Sequence, residues 1–246
     1  MEKNTTSKVS VKGIQIPFVE CTHNNEVEVC VDMRWKKISD AVVRRLPLYL
    51  RVLDDLARNK DAKLISSHEL GERAGVGPAL VRKDLAWFGE FGKQGVGYEI
   101  EYLRLELRKI LNLEGVINVA LVGVGSLGAA LTRFHIRKFD EDDSFNLKIC
   151  ALFDEDPEKH GQVHDGVTVH SSADMAEVVR AQNIEMAIIT VPAGDAQDVA
   201  QRLVDAGIRA ILNFAPTKIT VPDGVQLATA DLSLELQRLA YYLQDE

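Results

Sequence analysis

The sequence of 246 residues predicts an α/β protein: an N-terminal winged helix-turn-helix domain, then a Rossmann-like doubly wound parallel sheet, then a C-terminal helix. Three observations predict this. Over residues 36–115, short amphipathic helical patterns end in a glycine-rich hairpin. The stretch "VALVGVGSLGAAL" (119–131) joins an apolar strand to a helix through glycines at 123, 125 and 128. Apolar runs then alternate with helical patterns to about residue 230, as in βα units wound around a parallel sheet.

Composition agrees with this division. A chain with 46% hydrophobic and 27% charged residues reads as soluble and globular, and its length suits two ordinary domains. Before them, residues 1–35 are expected to be a disordered extension, and residues 231–246 form the final helix. No apolar run reaches the roughly 20 residues of a membrane span, and the start "MEKNTTSKVS" lacks the apolar segment of a signal peptide. The expected location is the cytoplasm, without membrane contact. Cys21, Cys30 and Cys150 form no C-x-x-C pair, so neither a disulfide framework nor a metal site is indicated. The formal net charge of -8 is unevenly spread, with a small basic excess over residues 33–102 and an acidic remainder. That asymmetry suggests a basic module attached to an acidic one.

The elements follow in order. Residues 1–32 are polar and poorly periodic, with only "EVEVCV" alternating like a strand. From Ser39 or Asp40 a helix is predicted, its apolar positions Val43, Leu46, Leu50, Leu53 and Leu56 recurring at threes and fours as far as "ARNKDAK". Ser66 with Glu69 forms a capping box for a helix that stops at Gly75. Pro78 opens the next, with Leu80, Val81, Leu85 and Phe88 facing inward. The tight "AGVG" turn between them makes a helix-turn-helix. Gly92, Gly95 and Gly97 then permit a hairpin, the wing.

This arrangement gives the basic residues a geometry. Arg82 and Lys83 lie early in the second helix, the part that such proteins lay in the DNA major groove, within reach of guanine edges or phosphates. Lys93, Gly95 and Tyr98 are the wing candidates for phosphate or minor-groove contact. The competing reading is a solvated helix face on which Arg82 or Lys83 pairs with Asp84 or Asp55.

A linking helix with Leu103, Leu107, Ile110 and Leu111 on one stripe leads to the glycine motif. Gly123 allows the tight turn, Gly125 lets backbone approach a pyrophosphate, and Gly128 permits close helix–strand packing. Gly123, Val124, Gly125, Ser126, Leu127 and Gly128 are therefore the candidate phosphate loop, with the pyrophosphate at the helix N-terminus. The next strand, "LKICALFDEDP", ends on Asp154. A carboxylate there accepts from a ribose 2′-OH and repels a 2′-phosphate, which favours NAD over NADP. Thr190, Val191, Pro192 and Ala193, with Asn213, Phe214, Ala215 and Pro216, end later strands on the nicotinamide side.

Nothing here indicates catalysis. His135, His160, His164 and His170 stand at no telling spacing, and residues 116–230 suffice only for the nucleotide fold. A dinucleotide bound without a substrate domain points to sensing. Two other readings stay open: an NAD-dependent dehydrogenase with an accessory winged domain, and a CoA-binding or structural Rossmann module.

Taken in order, "RLPLYLRVL", "VRKDLAWFGEFGKQGVGYEIEYL", "VALVGVGSLG", "FDEDPEKHG", "TVPA", "ILNFAP" and "DLSLELQRLAYYL" resemble the Rex redox-sensing transcriptional repressors, over residues 36–243. The resemblance implies a homodimer that occupies an inverted-repeat operator when NAD+ prevails and leaves it when NADH rises. It implies that the C-terminal helix is domain-swapped, and Leu232, Leu236, Leu239, Ala240 and Leu243 supply an apolar stripe for that exchange. It also implies an allosteric pair between Arg51 of one subunit and Asp231 of the other. Phe134 falls where the family uses an aromatic that moves with nicotinamide reduction. From the residues alone, Arg51 would instead be an exposed helix residue paired with Asp54 or Asp55.

Overall fold

The structure, a computed structural model, describes residues 7–11, 14–23, 26–31, 38–59, 62–93 and 95–243, with the backbone alone for those before residue 38. The chain divides into two compact units, residues 1–114 and 115–246. The expected boundary at residues 35 and 36 lies outside the described residues, as do the side chains of Cys21 and Cys30.

The first unit begins with a difference from expectation. Where a disordered extension was predicted, strands β1 (Ser7–Val11), β2 (Ile14–His23) and β3 (Glu26–Val31) pair antiparallel in that order. The alternating "EVEVCV" is β3; the other two strands have weaker alternation that the sequence reading passed over.

The predicted first long helix is two pieces, α1 (Asp40–Val43) and α2 (Leu46–Asn59). Pro47 explains the break. It has no N–H to donate to the carbonyl of Val43, and its ring would collide with that carbonyl in a continuous helix. It is accommodated in the first turn of α2. A short strand, β4 (Leu64–Ile65), precedes α3 (Ser67–Ala74), which Ser66 caps by accepting the Glu69 amide at 3.1 Å. The Glu69 carboxylate turns to Arg73. Gly75 closes the helix at φ 69°, a left-handed conformation that glycine adopts without strain.

Pro78 starts α4 (Pro78–Ala86), followed by β5 (Gly92–Lys93), β6 (Gly97–Glu99) and α5 (Ile100–Ile110). The wing has three strands rather than two, because β4 joins the far side of β6. Val81, Leu85, Leu103 and Leu107 enter one core with Tyr49, Leu53 and Leu70. Leu80 departs from the predicted inward face and is 37% exposed; on a helix this short Val81 and Leu85 fill the interior, and position 80 turns away from them.

The second unit is built on β7 (Ile117–Val122), α6 (Ser126–Glu141), β8 (Leu147–Asp154), β9 (Val163–His164), β10 (Val167–Ser171), α7 (Met175–Ala181), β11 (Met186–Ile189), α8 (Ala196–Ala206), β12 (Ala210–Asn213), β13 (Gln226–Thr229) and α9 (Leu232–Ala240). The sheet order is β13-β12-β11-β7-β8-β10-β9. Every pairing is parallel except that of β9, an unpredicted edge strand antiparallel to β10. Sequence order reverses between β7 and β11, which opens a crevice at the carboxyl ends of those strands, the place where doubly wound sheets bind ligands.

Candidate functional site

The glycine motif ends β7 at that crevice. Gly123 has φ +96°, and a Cβ there would stand 2.7 Å from the Thr190 carbonyl oxygen. One on Gly128 would lie 2.0 Å from the Gly123 carbonyl oxygen, whereas one on Gly125 meets nothing within 4 Å. Two glycines are thus needed for packing, and the third leaves room in front of its backbone. Thr190 ties the loop to β11: its hydroxyl lies 3.0 Å from the Val122 carbonyl and 2.7 Å from that of Gly123. The first amides of α6, a helix of 16 residues that starts directly after Gly125, have no intrahelical acceptors.

Asp154, at the end of β8, is 9% exposed. Its Oδ2 accepts from the Val124 amide at 2.7 Å and Lys159 Nζ at 3.0 Å, and its Oδ1 accepts from the Asp156 amide at 3.0 Å. Burial by itself would push this carboxyl up; the Asp156 amide, the Lys159 ammonium and the Val124 amide outweigh it and hold the group below the usual carboxylate range. The carboxylate is therefore charged, and Oδ1 keeps room for another donor.

A cleft of about 290 Å³ runs along these groups, lined by Gly123, Gly125, Asp154, Thr190, Val191 and Pro192 from the predicted set. Lys159 and Ser172 also line it, and the sequence reading missed both. An Asp-Pro step two residues after Asp154 was the available signal for Lys159: Asp156 caps a short 3-10 turn, Pro157–Lys159, that brings the ammonium back. Ser172 had no local signal.

Other predicted residues sit elsewhere. Asn213 is buried, and its side chain is spent within its own loop, donating to the carbonyls of Ala215 and Thr217 and accepting from the Ala215 amide. It braces the strand end, and Phe214, Ala215 and Pro216 do not line the cleft. Phe134 is exposed on α6, about 12 Å along the axis from Ser126, and packs edge-on against His135. His135 and His160 each meet a backbone carbonyl through a ring nitrogen. Among the described residues no group of histidines, cysteines and carboxylates could hold a metal ion. No described helix is long and apolar enough to cross a membrane.

In the first unit, Arg82 and Lys83 are exposed on α4, and Arg82 Nη1 donates to Ser67 Oγ at 2.9 Å. The competing reading, in which they pair with Asp84, fails because Asp84 is 1% exposed and taken. Arg45 donates to both its oxygens at 2.6 and 2.7 Å, and Tyr49 donates to Oδ2 at 2.7 Å. Burial pushes Asp84 up, but these partners bring it below the usual carboxylate range. Hydrogen bonding to Asp84 raises Arg45, and burial raises Tyr49. A groove between α4 and the wing is lined by Ser67, Arg82, Phe91, Lys93 and Gly95. Tyr98, predicted as a wing contact, lines the same groove, though its ring is largely packed into the core at 9% exposure, beneath Gly92, whose Cβ would stand 2.7 Å from that ring.

Asp55 pairs with Arg58 and Asp54 with Arg104, so neither serves Arg51, which is exposed and has no ion pair among the described residues. Asp231 caps α9, its Oδ1 accepting the amides of Ser233 and Leu234. Leu232, Leu234, Leu236, Leu239 and Leu243 are each half or more exposed.

The residues fit a dinucleotide on the observations above: an open glycine backbone, a helix N-terminus, and a charged carboxylate at the end of the second strand of the fold. Comparison with known proteins bears on the same point. Residues 37–86 match a family described as the N-terminus of a putative DNA-binding protein, and residues 116–217 match one described as a CoA binding domain. A redox-sensing transcriptional repressor Rex of Brevibacillus brevis is 46% identical over 85% of this chain and 98% of its own. One of Natranaerobius thermophilus is 42% identical over 84% and 91%. Among solved structures, RSP, a Rex-family repressor, in complex with β-NAD+ and operator DNA is 39% identical with TM-score 0.75, covering 84% of this chain and 92% of that one. RSP in complex with β-NADH is 37% identical with TM-score 0.72, covering 84% and 94%.

Proposed function

The chain belongs to the Rex family of redox-sensing transcriptional repressors, and from that footing we propose how its own residues do the work. The relatives are named repressors, and we read this chain likewise as a repressor and not an enzyme. NAD(H) binds in the cleft of the second unit, with the pyrophosphate at the glycine loop and the N-terminus of α6. Asp154 accepts from the adenine ribose. Operator DNA binds at Arg82, Lys83 and Lys93, α4 entering the major groove and the wing following the backbone.

The observation that carries this reading is the state of Asp154: a charged carboxylate with acceptor capacity left, beneath a glycine loop with open space in front of it. CoA, suggested by the description of the matched domain family, has a 3′-phosphate on the ribose that this carboxylate would repel. The repressor reading is preferred to a dehydrogenase because the relatives that match most of the chain are named repressors.

A homodimer on an inverted repeat completes the proposal. The exposed leucines of α9 support exchange of this helix between subunits, because an apolar stripe of that length in water calls for a cover. Arg51, with no ion pair among the described residues, and Asp231, whose Oδ2 is left over from capping, support the pairing of the two across the dimer in the NADH-bound form. NADH releases DNA only if it binds one form of the dimer better than the other, and such a pair would supply the difference.

One experiment tests the whole. Titrating NADH and NAD+ into the protein bound to a palindromic duplex should give release by NADH at concentrations where NAD+ has little effect, and a random duplex should bind more weakly throughout. Release by CoA, or no response to either dinucleotide, would overturn it.

A further inference from the structure

Among the described residues, Ser172 has the one buried side-chain oxygen or nitrogen without a hydrogen-bond partner. It is 5% exposed and lines the cleft. Buried hydroxyls in native proteins nearly always have partners, because leaving one unpaired costs free energy. The backbone around Ser172 is held in place. Its carbonyl accepts from the Arg202 guanidinium, and the preceding Ser171 hydroxyl accepts the Ala173 amide at 3.2 Å, so the backbone on both sides is pinned.

The sheet register says which part of a ligand would arrive. Ser171 stands opposite Asp154 in the parallel pairing of β10 with β8, so Ser172 is the first residue past the strand end next to that carboxylate. Going outward from the glycine loop the strands are β7, β8 and β10, about 4.8 Å apart. A dinucleotide laid across them runs in the same sequence: phosphate at β7, ribose at β8, base at β10.

We propose that the Ser172 hydroxyl is a further cofactor contact, donating to or accepting from the adenosine half of bound NAD(H) on the base side of the ribose held by Asp154. This rests on the reading of the cleft as an NAD(H) site. A hydroxyl has both a donor and acceptor lone pairs, so it can meet a ring nitrogen or an exocyclic amine of adenine. No described protein group meets this hydroxyl, so its hydrogen-bonding capacity is left for a ligand.

The test is calorimetry on the full chain with NADH, ADP-ribose and reduced nicotinamide mononucleotide, for wild type and Ser172→Ala. NADH and ADP-ribose should each bind the variant about three- to tenfold more weakly, by the same factor, while binding of the mononucleotide is unchanged. The ligand-free variant should melt no lower than wild type, since no described protein group loses a hydrogen-bond partner. Equal NADH affinity for the two proteins would overturn the assignment, and so would a parallel loss for the mononucleotide or a lower melting temperature without ligand. Failure of wild type to bind NADH would instead overturn the reading of the cleft itself.

Discussion

Asp84 in the first unit and Asp154 in the second are the same residue in nearly the same condition: buried, charged, and held below the usual carboxylate range by hydrogen bonds that outweigh desolvation. Their surroundings differ. Asp84 takes three donors, two from Arg45, just before α2, and one from Tyr49, in its first turn, and lines neither the cleft nor the groove described above. Asp154 takes its donors from its own turn and from the glycine loop, and one side faces a cleft. A perturbed carboxylate is therefore not by itself a site. The one whose partners come wholly from packed elements holds α4 in place, and the one with an open side can receive a ligand.

The largest effect should come from breaking the closed network. Asp84→Ala leaves Arg45 and Tyr49 without their acceptor and should destabilise the first unit by about 3–5 kcal/mol, measured by urea unfolding, with operator binding falling in step. A loss below about 1 kcal/mol would put Asp84 with the functional carboxylates and erase the contrast. Acid sharpens the same point. The folded-state pKa is depressed, so the stabilisation is complete above the unfolded value of about 3.9 and disappears as pH falls through the folded value. Asp84→Asn should show a flatter stability profile below about pH 4 than wild type.

Asp154→Ala should leave the fold standing and weaken NADH by about 1.5–3 kcal/mol, the range for hydrogen bonds to a charged group. It also frees the Lys159 ammonium, so the preference for NADH over NADPH should collapse or reverse in calorimetry, and Lys159→Ala added to it should abolish the gain for NADPH. An unchanged NADH/NADPH ratio would remove this carboxylate from the ribose.

Asp231→Ala should still bind DNA and NADH but lose about 1–3 kcal/mol of coupling between them. Operator release across an NADH titration in wild type, both single variants and Arg51→Ala/Asp231→Ala measures it. Additive losses would break the proposed pair. Arg82→Ala should cost about 1–3 kcal/mol in operator binding and blur base preference if the guanidinium meets a guanine. The smallest change belongs to the wing: Lys93→Ala should weaken all duplexes alike and reduce the salt slope by about 1. A loss confined to one base step would move Lys93 from phosphate to base contact.

What could be read from the sequence follows the range of the interactions. The cap at Ser66, the Gly75 stop, the Pro78 start and the glycine fingerprint depend on residues within a few positions of each other, and each stands where expected. Asp154 was legible because a strand end at that distance from the motif has a fixed place in the fold. Tertiary partners were not legible. Asn213 looked polar and available, but its amide braces its own loop, and most of the Tyr98 ring is taken up by the space under Gly92. Arg45 reaches Asp84 across 39 positions, and no local pattern announces that. Ser172 stands out only once its neighbours are known to offer it nothing.

The knot at Thr190 also sets the clock on which the site moves. The Gly123 amide donates to the Phe153 carbonyl and the Thr190 amide to that of Val122, both inside a junction that the threonine hydroxyl closes. Protons there should exchange with solvent only when the sheet opens, over hours rather than seconds. Those at the start of α6, a few residues on, have no intrahelical acceptor and should exchange quickly until a ligand covers them. A turn built of glycines would thus behave as a slow frame around a fast edge.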